Sequence, residues 1–140
     1  MPLPPCILLV DDDQTTNYLN RLLLKRLAVA DELLTAQNGL EALQMLQAHH
    51  QRPELNEPVL VFLDVKMPVM DGFEFLQAYE QLPAAHKAET VIVMLTTSLH
   101  PQDVERMQQL KIAGFLNKPL TKEKVDGVLL QHFQHEMPVE

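Results

Sequence analysis

VLVFLDVKMPVMDG, residues Val59 to Gly72, is the stretch whose reading decides the fold. Five apolar residues, Val59 to Leu63, run without a polar break into Asp64. A short run with β-branched and aromatic members reads as a strand buried on both faces. Periodicity alone does not separate it from a buried helix segment, but Pro58 before it and Pro68 after it limit its length. Its terminal aspartate falls where a parallel sheet opens to solvent, the edge at which α/β proteins bind ligands. Taken alone, Asp64 serves equally well as the start of a loop or as a cap.

The chain has 140 residues, 46% hydrophobic and 21% charged, which describes one soluble globular domain with a single core. A formal charge of −8 argues against nucleic acid or an anionic membrane surface as a direct partner. Cys6 is the single cysteine, which excludes an internal disulfide, and its apolar run predicts a buried, inert thiol. No apolar run approaches the roughly 18–20 residues that span a bilayer. The opening MPLPPCILLV has no basic region of a signal peptide, so a cytoplasmic location is expected.

Outward from the central strand the same grammar repeats. Pro2, Pro4 and Pro5 make a stiff lead-in to a buried strand at Cys6 to Val10, which ends in Asp11, Asp12 and Asp13. Tyr18, Leu19, Leu22, Leu23, Arg26 and Leu27 then fall at helical spacing. Glu32 to Ala36 is a weaker strand, towards an edge, and Leu40, Leu43 and Leu46 mark a second helix running to His49. Phe73, Leu76 and Tyr79 mark a third, with Asp71 as its N-cap. Val91 to Leu95 is a strand ending in Thr96, Thr97 and Ser98. Pro101 suits the first turn of a helix with Val104, Met107 and Leu110. Ala113 to Leu116 is a short strand before Asn117, Lys118 and Pro119, and Val125, Val128, Leu129, His132 and Phe133 share a last helical face. The stretches 51–58 and 83–90 read as long connecting loops.

Alternating strands and helices predict an α/β fold with a doubly wound, five-stranded parallel sheet. The order 2-1-3-4-5, numbered along the chain, puts the two most apolar strands side by side at the centre. Asp11, Asp12, Asp64, Thr96 and Lys118 then meet at one edge. Close carboxylates repel by roughly 4 kcal/mol per pair at an effective dielectric of about 20, so the cluster needs a counter-ion. An all-oxygen set points to Mg²⁺, with Mn²⁺ able to replace it. Lys118 offers a fixed cation and Thr96 a hydroxyl, both suited to phosphoryl oxygens.

ILLVDDD at the first strand, FLDVKMPVMDG at the third, MLTTS at the fourth and GFLNKPL at the fifth stand in that order, each at a strand's carboxyl end. Together they resemble the receiver domain of two-component response regulators, over about residues 5 to 135. The resemblance implies a flavodoxin-like (βα)5 fold and one receiver domain spanning 1–140, with short tails; only QHEMPVE remains after Phe133, too short to fold, so no effector domain is expected after it. It implies that Asp64 is the phosphoacceptor, attacking a phosphohistidine to form an acyl phosphate. Asp12 would bind Mg²⁺ directly and Asp11 largely through water, with Asp64 and the Lys66 carbonyl completing the set. Asp13 would open the first helix, where negative charge is favourable. Lys118 would pair with the phosphoryl group, and the peptide bond before Pro119 would be cis. Thr96 would turn to the phosphoryl oxygen and Phe115 inward after it, reshaping the face of the fourth helix, fifth strand and fifth helix.

The implied partners are a sensor histidine kinase or histidine phosphotransfer protein and a downstream protein, with the chain a monomer or a phosphorylation-dependent homodimer. Phe115 departs from the tyrosine of many relatives, so packing alone would hold its inward state. Lys66 and Ser98 would tune dephosphorylation; Lys66 either leans over the phosphoryl group or is a solvated lysine on a loop. His49, His50, His86, His100, His132 and His135 invite a metal-site reading, but His132 and His135, which share a helical face at i, i+3, have no acidic or cysteine partners, and exposed or half-buried histidines are expected. Three other functions fit less well. A haloacid-dehalogenase-like phosphatase needs an acid where Lys66 stands, and three aspartates after the first strand would repel a flavin phosphate. A receiver-like binding module that is never phosphorylated would not require the full residue set. The expected chemistry is therefore on the chain itself, not on an external substrate.

Overall fold

A computed structural model of the chain describes residues 6–50, 58–83, 90–97, 100–110 and 112–133, with the side chain of His50 excepted. The proline lead-in, most of both long loops, Ser98, His86, His135 and the tail from 134 lie outside the described residues. The elements are β1 (Cys6–Val10), α1 (Gln14–Leu27), β2 (Glu32–Ala36), α2 (Gly39–His50), β3 (Val59–Asp64), α3 (Gly72–Tyr79), β4 (Thr90–Thr96), α4 (Pro101–Gln108), β5 (Gly114–Asn117) and α5 (Lys122–Phe133). The five strands are parallel in the order β2-β1-β3-β4-β5, as expected.

Strand pleating divides the core into two layers. Leu8, Val10, Val61, Leu63, Ile92 and Met94 pack towards α2, α3 and α4, through Leu46, Phe75, Leu76 and Met107. Their neighbours Ile7, Leu9, Leu60, Phe62, Val93 and Leu95 pack towards α1 and α5, through Leu24, Val125, Leu129 and Phe133. Every residue of β1 and β3 is buried, which is why both read as unbroken apolar runs. The edge strands β2 and β5 are mostly half-buried.

Three local readings change. The buried side of α1 is formed by Asn17 and Leu24, with Leu23 and Leu27 packed partly beside Leu24, while Tyr18 and Leu19 are 61% and 56% exposed. Asn17 holds a core position because its amide donates to the carbonyls of Asp11 (2.9 Å) and Ala36 (3.1 Å), tying α1 to the ends of β1 and β2. In α2, Leu40 faces outward and Ala42 and Leu46 fill the core. His49 is buried, not exposed, and lies against Cys6 and Glu32.

Candidate functional site: an acidic cluster bridged by lysine

Strand ends bring the site together because β1, β3, β4 and β5 are parallel and stop at nearly the same level. Val10 pairs with Leu63, Asp64 with Leu95, and Thr96 with Asn117. The residues that follow β1 and β5, and those that end β3 and β4, therefore share one edge. Ligand oxygens of Asp11, Asp12 and Asp64 all lie within 4.8 Å of one another.

The three aspartates of DDD take three different jobs. Asp11 is buried, and its backbone N–H continues the ladder to Ala36 O at 3.0 Å. Asp12 is exposed at the mouth of the cluster. Asp13 caps α1: its carboxylate accepts from Thr15 N at 3.1 Å and Thr16 Oγ1 at 2.7 Å. Those bonds, the Thr16 hydroxyl foremost, hold the Asp13 carboxyl below its usual range. Capping thus removes Asp13 from the cluster and leaves the pair Asp11 and Asp12.

Lys118 spans the buried acids. Its Nζ lies 2.6 Å from Asp11 Oδ2 and 3.1 Å from Asp64 Oδ1. Asp11 Oδ1 accepts from Asp13 N at 2.9 Å, and Asp64 Oδ1 also accepts from Val65 N at 3.0 Å. Burial, and then the charge of Asp11, pushes the Asp64 carboxyl above its ordinary value, with Lys118 acting against both. Burial alone would lower Lys118, but the Asp11 hydrogen bond and the two carboxylate charges outweigh it and raise the ammonium above its ordinary value. The lysine is fixed from the backbone as well, since its N–H donates to Thr96 O at 2.8 Å; the Lys118–Pro119 peptide is cis. Thr96 is buried at the end of β4, and Phe115 is half-buried against the α2–α3–α4 layer.

The β3–α3 loop is held against the acceptor strand. Gly72 N donates to Val65 O at 2.9 Å, and a Cβ at Gly72 would lie 2.5 Å from Asp64 O. Asp71 and Glu74 form a reciprocal capping box that starts α3, so Asp71 is a cap. Val69 sits at φ 67° within a tight turn closed by Met70 N to Pro68 O at 2.7 Å, and Met70 O in turn receives Gly39 N at 2.8 Å. Lys66 is exposed on this loop.

An oxygen-only donor set, two members buried and one open to solvent, suits a hard cation that keeps much of its water, and so fits Mg²⁺. Sequence reasoning did not foresee the apolar exposure beside the site. Leu19 and Leu23 of α1 line a groove of about 350 Å³ with Thr16, Asn20, Lys118, Pro119 and Leu120. Asn17 was the available signal, since a polar residue at a core position turns its neighbours outward. No helix of the described residues is long and apolar enough to cross a membrane.

Residues 7–129 match the response regulator receiver domain family. Response regulator Rcp1 of Synechocystis is 32% identical over 115 residues, covering 82% of this chain and 77% of that protein. The chemotaxis protein CheY of Halobacterium salinarum is 31% identical, covering 85% of this chain and 88% of its own. Among solved structures, Vibrio cholerae CheY4 superposes with a TM-score of 0.72 at 29% identity, covering 91% of this chain and 98% of that one. Members of this family are signalling proteins of two-component phosphorelays and bind Mg²⁺ at acidic residues. Motifs, strand order and the matched span agree, and the chain belongs to the response regulator receiver domain family.

Proposed function

We propose that the chain is a cytoplasmic phosphorylation switch that takes a phosphoryl group from a histidine kinase or histidine phosphotransfer protein onto Asp64. The observation that carries this reading is the Lys118 bridge, 2.6 Å to Asp11 and 3.1 Å to Asp64. It keeps a permanent cation between two buried carboxylates, Asp11 and Asp64, at the open end of the sheet. An Asp64 oxygen attacks phosphorus, the phosphorus–nitrogen bond of the phosphohistidine breaks, and the imidazole leaves and takes up a proton. The product is a mixed anhydride on Asp64. Lys118 then pairs with a phosphoryl oxygen. Asp12, Asp64 and the Lys66 carbonyl would hold Mg²⁺ or Mn²⁺ directly and Asp11 largely through water; when bound, the ion neutralises charge that develops in the transfer.

The groove between α1 and Lys118 supports docking by a donor helix, because its apolar wall runs up to the residue that touches the acceptor. After transfer, Thr96 turns to the phosphoryl group and Phe115 moves inward, shifting the population of the α4–β5–α5 face that a downstream protein or a second copy reads. Lys66 and Ser98 tune the lifetime of the acyl phosphate. The chemistry is confined to the chain itself. Intact mass after incubation with Mg²⁺ and acetyl phosphate tests the reading. One phosphoryl adduct, lost with chelator and in Asp64→Asn, is expected; an adduct that persists in Asp64→Asn overturns it.

A further inference from the structure

At the opposite edge of the sheet, ligand atoms of Cys6, Glu32 and His49 lie within 4.8 Å of one another. Cys6 begins β1, Glu32 begins β2 and pairs with Cys6 in the ladder, and His49 lies at the end of α2. Four residue steps of β1 separate Cys6 from Val10, roughly 13 Å at strand rise, so this cluster stands apart from the carboxylates that follow β1. None of the three takes part in the switch chemistry.

We propose that Cys6, Glu32 and His49 form a binding site for Zn²⁺ or a similar borderline divalent ion. The donor set is one sulfur, one imidazole nitrogen and one carboxylate oxygen, the mixture that zinc takes and Mg²⁺ does not. A tetrahedral zinc site has ligand–ligand edges of about 3.3–3.7 Å, given Zn–S near 2.3 Å and Zn–N or Zn–O near 2.0–2.1 Å. The three ligand atoms lie within 4.8 Å of one another, and Glu32, the half-buried member, can turn to meet an ion held by the other two. Nucleophilic use of the thiol is disfavoured, because Cys6 is 2% exposed and His49 5%, which keeps substrates away but suits a bound ion. Three protein ligands leave a fourth position for water. Binding transfers the thiol proton to solvent as the sulfur–metal bond forms. The ion would clamp the edge strand β2 to β1 and to the end of α2.

Titration of the reduced, full-length chain with Co²⁺ under anaerobic conditions tests this. A sulfur-to-metal charge-transfer band that saturates at one equivalent, disappears on adding Zn²⁺ and persists in Asp12→Asn is expected. Cys6→Ser and His49→Gln should each lose the band while still accepting phosphoryl from acetyl phosphate with Mg²⁺. Zn²⁺ at a hundredfold excess over Kd should raise Tm by about 5–10 °C in the parent and not in either variant. No band in the parent, or a band that survives His49→Gln, overturns the site and leaves a buried polar network. Because the parent spectrum is decisive by itself, a variant that fails to fold does not rescue the proposal.

Discussion

Lys118 and Asp11 are joined by a 2.6 Å ion pair between residues that follow two different strands, β5 and β1. Both side chains are largely buried, 16% and 6% exposed, so the pair is shielded from solvent. Removing one partner of a shielded pair costs more than the pair itself contributes, because the other charge is stranded. Lys118→Ala leaves Asp11 and Asp64 facing each other without a cation. It is expected to lower stability by about 2–3 kcal/mol at pH 7 in urea without divalent ions, and Mg²⁺ should return part of that loss. An unchanged urea midpoint would mean that the bridge carries no stability.

Asp64 gives the opposite result. Its carboxyl is raised above 3.8, by burial first and by Asp11 second, so the folded chain binds this proton more tightly than the unfolded one. The contribution is fully present below the unfolded value and is lost as pH rises through the folded value. At neutral pH the ionised Asp64 therefore costs stability. Asp64→Asn removes that cost, and Lys118 keeps Asp11 as its partner. In chelator at pH 7 the variant should melt about 3 °C above the parent, with the gap closing towards pH 4. A gap that widens on acidification would reverse the sign argued here.

Two glycines should respond in opposite directions. A Cβ at Gly72 would meet Asp64 O at 2.5 Å and Met94 Cε at 2.9 Å, so Gly72→Ala must push the loop off the acceptor strand. A loss of about 2–3 kcal/mol is expected. At Gly127, inside α5, an added Cβ meets nothing within 4 Å. Gly127→Ala should gain about 0.8–1 kcal/mol from helix propensity. Chemical denaturation of the two variants beside the parent measures both.

Lys66 is exposed on the loop that follows Asp64. If its ammonium leans over the phosphoryl group and obstructs water, Lys66→Ala should shorten the acyl phosphate lifetime about two- to tenfold, the span of up to ~1.4 kcal/mol in barrier. Loss of the phosphoryl group after chelation, followed by mass, gives the rate. Equal rates would assign Lys66 to solvent.

The strand order was legible because β1, β3 and β4 are short apolar runs that a parallel sheet buries on both faces, and because polar or acidic residues end each one. The separate job of Asp13 was legible for a local reason: a cap needs only the next turn of chain. Asn17 defeated the reading of α1, since its amide is buried for hydrogen bonds to Asp11 and Ala36 that only the folded sheet supplies. β5 begins one residue later than its apolar pattern, at Gly114, because its pairing with Val93 sets the start. The juxtaposition of Cys6, Glu32 and His49 could not be read at all, as it joins three elements through tertiary packing alone.

Reductive trapping of the phosphorylated chain tests the central claim most directly. Borohydride converts an aspartyl phosphate to homoserine, and peptide mass then locates it. The account predicts homoserine at position 64 alone, dependent on Mg²⁺ and donor. Homoserine at position 11 or 12, or a stable phosphate that borohydride leaves unchanged, would contradict it.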